Sequence, residues 1–206
     1  MVHGYHVIMG MYGFWLPNDP RGSWSEFVGA WELLKFGKTT QTLERTADIT
    51  NQERHLRAKA KKDLKYPPVE LTGRQACSIA KGFASFCHKN RLAIWACSIL
   101  PEHVHLVVAR HRYDVEQVAN LLKGAATRQL RLDRLDPMAA HTTSQSSPHS
   151  PWAHSEWRVF LDSEEAIRNA IRYVEENPIK EGKPRQHWSF VTPFFGVETD
   201  GNVAYL

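Results

Sequence analysis

The chain has 206 residues, of which 42% are hydrophobic and 23% charged. That is ordinary globular usage, long enough to bury a core, and it excludes collagen-like, coiled-coil and wholly disordered chains. Lys and Arg number 26 against 22 Asp and Glu, a net charge of +4 that permits a polyanionic partner without requiring one. The longest apolar runs, such as Leu106 to Ala109, are far too short to cross a bilayer. Cys77, Cys87 and Cys97 have neither pair nor zinc-ligand spacing, and no secretory leader is visible at the start. The expectation is reduced thiols in a cytoplasmic protein.

His6 to Trp15 has the residue types of a strand and stops at the turn formers of Leu16 to Ser23. An insertion follows at about 26–70. In it, Val28 to Phe36 suits a short helix. Gln52 to Lys65 carries Arg54, Arg57, Lys61 and Lys62 with little apolar periodicity, as in a solvated basic helix or a mobile arm. Thr72 caps a helix to about Lys89 with Ala76, Ile79, Ala80, Phe83 and Phe86 as its stripe. Arg91 to Leu100 reads as a strand, Pro101-Glu102 as a tight turn, and His103 to Arg110 as the returning strand. Asp114 caps a helix through about Arg134. Residues 136–150 are polar and of low complexity, and read as a flexible loop. Trp157 to Leu161 is a short strand, and Asp162 with Glu165 has the pattern of a capping box for a helix ending near Pro178. The aromatic tail from Gln186 to Leu206 packs back on the body. Strands mixed with helices around one tight hairpin give an α+β class, and a ferredoxin-like antiparallel sheet with helices on one face fits best, as one domain over 1–206.

Three groups of residues carry candidate chemistry. His103 and His105 are two apart in a strand, so both rings project from one face while Val104, Leu106 and Val108 enter a core. Two such imidazoles can ligate one divalent metal, or can simply be hydrogen-bonded surface histidines. On the helix after Ser163, Tyr173 and Asn177 are four apart at the edge of the apolar stripe of Ile167, Ala170, Ile171 and Val174. Taken alone, they read equally as a packing residue and a helix cap before proline. Basic residues form the third group: Lys123, Arg128 and Arg131 on one helix, then Lys180, Lys183 and Arg185 after the tyrosine. Cations interleaved with aromatics suit single-stranded nucleic acid, whose phosphates need charge and whose bases need stacking surfaces.

Leu100-Pro101-Glu102-His103-Val104-His105-Leu106, followed by Tyr173-Val174-Glu175-Glu176-Asn177-Pro178-Ile179-Lys180-Glu181-Gly182, resembles the single-tyrosine HUH transposases. It looks closest to the REP-associated tyrosine transposases of bacteria, relatives of the smallest insertion-sequence transposases. The likeness covers about residues 72–190 and the first strand. It implies an HUH endonuclease core with His103, His105 and Asn177 as metal ligands and Tyr173 as nucleophile. Mg²⁺ or Mn²⁺ suits that mixed nitrogen and oxygen set. It also implies single-stranded DNA with hairpin or palindromic repeats as substrate, a 5′-phosphotyrosine intermediate, and a homodimer as one arrangement open to small relatives. Arg54 to Lys65 and the helix with Arg128 and Arg131 are candidates for holding phosphates. Arg21, in an exposed turn, is either a DNA contact or purely structural. Competing readings are a replication initiator or relaxase, a silent DNA-binding regulator, and a metal-dependent hydrolase that uses water. No Gly-x-x-x-x-Gly-Lys-Ser/Thr is present to indicate a fused helicase.

Overall fold

The structure, a computed structural model, describes residues 1–14, 55, 59, 61–141 and 149–197. Its elements are strand β1 (Gly4–Met11), helix α1 (Gly73–Asn90), strands β2 (Ile94–Ile99) and β3 (His103–Ala109), helix α2 (Val115–Leu132), strand β4 (Trp152–Leu161) and helix α3 (Glu164–Lys180). The strands form one antiparallel sheet in the order β2-β3-β1-β4. The α+β class and the ferredoxin-like sheet are as expected.

Strand periodicity divides the sheet into two faces. Val7, Met9 and Met11 of β1 and Val104, Leu106 and Val108 of β3 share a core with Ile79 and Phe83 of α1 and Val118 and Leu122 of α2. Val107 and Ala109, offset by one residue, meet Ile167, Ala170 and Val174 of α3 in a second cluster with Trp95 and Leu161. The expected placement of all helices on one face is therefore corrected: α3 lies on the face opposite α1 and α2. Because α3 needs its own apolar floor, β2 and β3 are buried along their whole lengths.

Local chemistry sets most boundaries. Thr72 accepts the Gln75 N–H, and the Gln75 side chain reaches back to the Thr72 N–H, a reciprocal capping box for α1. Asp114 accepts the Gln117 N–H at 2.7 Å to start α2. The cap of α3 is Ser163, which accepts the Ala166 N–H, one residue later than the Asp162 expected. Strand β2 starts at Ile94 rather than Arg91, because Arg91 adopts φ 55° as the left-handed cap of α1. Strand β1 ends at Met11 because Gly13 turns the chain at φ 83°. Strand β4 is twice as long as expected; its polar first half is held in register by β1 and by contacts with α2.

Helix α3 runs through Pro178 to Lys180 instead of stopping before it. Proline removes one N–H near the end of the helix, where few bonds remain to be lost. Gly182 at φ 69° then closes the end, with the Lys183 N–H donating to Pro178 O at 2.8 Å and the Gly182 N–H to Ile179 O at 2.9 Å. The loop expected at 136–150 is partly structured: Ala139–His141 forms a 3-10 turn, and Met138 is buried in the main core. Over its described residues, 186–197, the tail returns to the body, and the rest of it lies outside the described residues. Gln186 exchanges two 2.8 Å hydrogen bonds with the Ile99 backbone, and Thr192 N–H donates to Ile94 O at 2.9 Å, so the open edge of β2 is covered. The expected helix at Val28 to Phe36 lies outside the described residues. Among the described residues no helix is long and apolar enough to cross a membrane.

Helices α1 and α2 touch at Gly82, where an added Cβ would lie 2.8 Å from Ala125 O and Ala126 Cα. Alanine gains about 1 kcal/mol of helix propensity over glycine. Overpacking against backbone that cannot give way costs about 1–3 kcal/mol. The second effect wins, so Gly82→Ala is expected to lower the midpoint of urea unfolding; an unchanged or raised midpoint contradicts this close approach.

Candidate active site

Strand β3 presents His103 and His105 on the face that α3 covers. Both are buried, with ring centroids 4.8 Å apart and planes at 75°. Strand β1 adds a third histidine to this face. His6 is out of phase with Val7 and Met9, and its Nε2 shares a 3.1 Å hydrogen bond with His105 Nδ1. Ser98, the register partner of His105 on β2, is 1% exposed, and its hydroxyl has no hydrogen-bond partner among the described residues.

Helix α3 supplies the other side. Tyr173 is 37% exposed, and its ring stands 5.6 Å from that of His6 and 5.7 Å from that of His105. One turn on, Asn177 is 8% exposed and lies on the buried side of the helix. Another turn on, Glu181 Oε1 is 3.8 Å from His103 Nε2. A helix repeats its face every three to four residues, so 173, 177 and 181 fall on one line. The continuation of α3 through Pro178 is what keeps Glu181 on that line.

Desolvation dominates the electrostatics of this pocket. Burial lowers the pKa of His6 to about 4. Burial, then the charges of His103 and His6, lowers that of His105 well below the usual histidine range. Both rings are neutral at pH 7, and a neutral imidazole keeps one lone pair for ligation. Among the described residues, no three His, Cys, Asp or Glu are gathered as a metal-holding group. Asn177, one turn after Tyr173 on the buried side of α3, offers an amide on the helix that packs against this face of the sheet. Two buried imidazoles, a buried amide and an orphaned hydroxyl fit an ion that accepts mixed nitrogen and oxygen ligands.

The basic residues do not form one surface. Lys180 is at the site, its Nζ 5.0 Å from the centre of the Tyr173 ring and 3.2 Å from Glu176. Lys183 and Arg185 follow at the end of α3, the first half-exposed and the second exposed. Lys61 pairs at 3.2 Å with Glu102 in the turn before His103, and Lys62 is exposed beside it. Arg128 is exposed and Arg131 bonds Asp136 at 3.0 Å; both belong to α2, across the sheet from Tyr173. Arg21, Arg54 and Arg57 lie outside the described residues.

Lys123 does not belong with the surface cations, which corrects its assignment as a phosphate contact. Its Nζ bonds Glu156 Oε2 at 3.2 Å and Ala153 O at 3.4 Å, with both side chains over nine-tenths buried. Burial lowers the lysine pKa, and Glu156 acts against that shift. Three residues of the site went unassigned in the sequence reading: His6, Phe14, whose ring stacks on His103 at 4.6 Å, and Glu181. The available signal for His6 was its alternation with Val7 and Met9 in an otherwise apolar strand.

Residues 64–177 match the family model described as transposase, IS200-like. Solved structures similar to this chain include a REP-associated tyrosine transposase bound to a REP hairpin, at 12% identity over 91% of this chain and 74% of that one, with a TM-score of 0.47. Another is a protein of Deinococcus radiodurans R1 assigned to the transposases, at 11% identity over 89% of this chain and 92% of that one, with a TM-score of 0.44. No curated protein matches.

Removing one member of a buried ion pair leaves an uncompensated charge and costs about 3–5 kcal/mol, whereas replacing both by apolar groups is often neutral. Lys123→Met is expected to destabilise the fold by that order in urea unfolding, with Glu156→Leu added to it restoring most of the loss. A single variant as stable as the parent contradicts the buried pair.

Proposed function

The chain belongs to the IS200-like transposase family, and from that premise we propose that it cleaves and rejoins single-stranded DNA beside hairpins of palindromic repeats, with Tyr173 as nucleophile and His103, His105 and Asn177 as ligands of Mg²⁺ or Mn²⁺. The observation that carries this reading is the convergence of Tyr173 from α3 on His6 and His105 from the sheet, with ring separations of 5.6 and 5.7 Å within one chain.

The order of events follows from the placement of the groups. A phosphodiester is anionic and repels a nucleophile. When bound, the divalent ion supplies charge neutralisation at that phosphate. Lys180 adds a positive charge over the tyrosine ring, where the phosphate has to approach. Tyr173 is half-exposed, so the strand can reach its hydroxyl and the phenol proton can leave to water. Free phenols ionise near pH 10, so attack requires the hydroxyl to be positioned and the phosphate to be activated. The Tyr173 oxygen forms a bond to phosphorus as the bond from phosphorus to the 3′-oxygen breaks. The electron pair leaves with that oxygen, which takes up a proton to give a free 3′-hydroxyl. The 5′-phosphate remains on Tyr173. Attack by another 3′-hydroxyl reverses the step, so rejoining needs no ATP.

The hairpin is the substrate class implied by the likeness of the His-Val-His and Tyr-x-x-x-Asn-Pro elements to REP-associated transposases. Lys183 and Arg185 beyond the tyrosine helix and Lys61 and Lys62 beside the His103 turn are the described cations best placed to hold its phosphates. Arg128 and Arg131 are assigned to a more distant stretch of DNA, and Arg21, Arg54 and Arg57 stay as candidate contacts on sequence grounds alone.

Incubation with a 3′-labelled single strand carrying a hairpin and Mn²⁺ is expected to give a labelled covalent protein–DNA adduct, because the fragment that keeps the 3′ end is the one left on Tyr173. Tyr173→Phe is expected to abolish the adduct with hairpin affinity kept, and an adduct formed by that variant rejects the assignment. His103→Ala and EDTA are each expected to suppress cleavage, the latter reversed by added Mg²⁺ or Mn²⁺. Cleavage that leaves no DNA on the protein would indicate water as the nucleophile instead.

A further inference from the structure

We propose that His6 is a positioning residue that accepts the Nδ1–H of His105 and so holds His105 Nε2 unprotonated and turned toward the cation site. The inference rests on the metal reading given above and adds a residue to it. The two rings are nearly parallel, with planes 25° apart and centroids 5.3 Å apart, and His6 Nε2 lies 3.1 Å from His105 Nδ1. Both side chains are buried, so water does not compete for the bond.

Only two proton arrangements satisfy that contact in neutral rings. If His6 Nε2 carries the hydrogen, it donates to His105 Nδ1. The proton of His105 then sits on its Nε2 and blocks the only nitrogen left for a ligand. If His105 Nδ1 carries the hydrogen, it donates to His6, and the lone pair of His105 Nε2 is free. A ligating role for His105 therefore dictates the second arrangement. Metal-bound histidines commonly donate their other N–H to a fixed acceptor, which sets tautomer and ring orientation. Here the acceptor is an imidazole.

The acceptor is itself fixed. Trp157 on β4 meets the His6 ring at 5.8 Å edge-on, and Tyr173 meets it at 5.6 Å. Strand β1 is central in the sheet, bonded to β3 on one side and β4 on the other. His6 cannot turn away without disturbing the packing of the nucleophile. One ring therefore touches both the ligand His105 and Tyr173, and couples their positions.

The test combines a spectrum with a binding measurement. In ¹⁵N-histidine-labelled, metal-free protein near neutral pH, the His105 ring is expected to show the Nδ1–H tautomer. Titration with Mn²⁺ alone, followed calorimetrically, is expected to show His6→Leu binding about 10–100-fold more weakly than the parent. His6→Gln keeps a carbonyl acceptor at similar reach and is expected to recover much of that loss. A hydrogen on His105 Nε2 in the parent, or His6→Leu binding Mn²⁺ as the parent does, overturns the proposal. If His6→Leu does not fold, the parent spectrum and His6→Gln decide it. A parent that shows the Nδ1–H tautomer but binds no Mn²⁺ removes the metal reading, and with it the purpose assigned to His6, while leaving the polarity of the hydrogen bond established.

Discussion

Strand β3 is buried on both of its faces, and the rest of the molecule is arranged around that fact. A strand in that position has one set of side chains for each side. Val104, Leu106 and Val108 fill the core under α1 and α2. Val107 and Ala109 carry α3, while His103 and His105 occupy the remaining length of the same face. Two polar rings are thus held in a desolvated slot by the apolar residues between them. For His105 the cost of burial is offset by a pKa that burial lowers, which keeps the ring neutral, and by the 3.1 Å hydrogen bond it shares with His6. A pocket that keeps imidazoles neutral is also one prepared to ligate a cation, since no proton has to leave first.

Helix α3 brings Tyr173, Asn177 and Glu181 to the side of the sheet that carries those rings. Its apolar stripe seats it on Val107, Ala109 and Trp95, and that seat fixes the angular position of Tyr173 and Asn177. Tyr173, the proposed nucleophile, is at the margin of the buried face rather than within it, which gives the phenol both rigid neighbours and solvent access. Pro178 would ordinarily end the helix before the third turn of this line. The bonds around Gly182 hold it open for one turn more and keep Glu181 beside His103. The family shown for this chain accounts for strand cleavage and transfer in general; the roles of the particular residues are our proposal.

Much of the framework was legible because it depends on short-range rules. Thr72 and Asp114 announce helix starts through their own side chains, and Pro101-Glu102 between two apolar runs announces the hairpin. Alternation alone put both histidines on one face. What was not legible depends on long-range partners. Lysine is normally a surface residue, and nothing near Lys123 in sequence reveals Glu156 waiting 33 residues later. The first half of β4 is polar because α2 satisfies it, so its own residues do not read as strand. The side of the sheet taken by α3 is decided by which of two apolar sets on β3 it covers, and periodicity cannot choose between them. His6 looked like one more strand residue until β1 was paired with β3.

The place where a cation binds decides whether His103, His105 and Asn177 act together. A crystal structure of the protein with Mn²⁺ and a single-stranded hairpin, with the ion located by anomalous scattering, tests this directly. The prediction is one Mn²⁺ held by His103, His105 and Asn177, with the Tyr173 oxygen facing a phosphate of the strand. An ion bound elsewhere, or an empty histidine pocket with the tyrosine turned from the DNA, contradicts it.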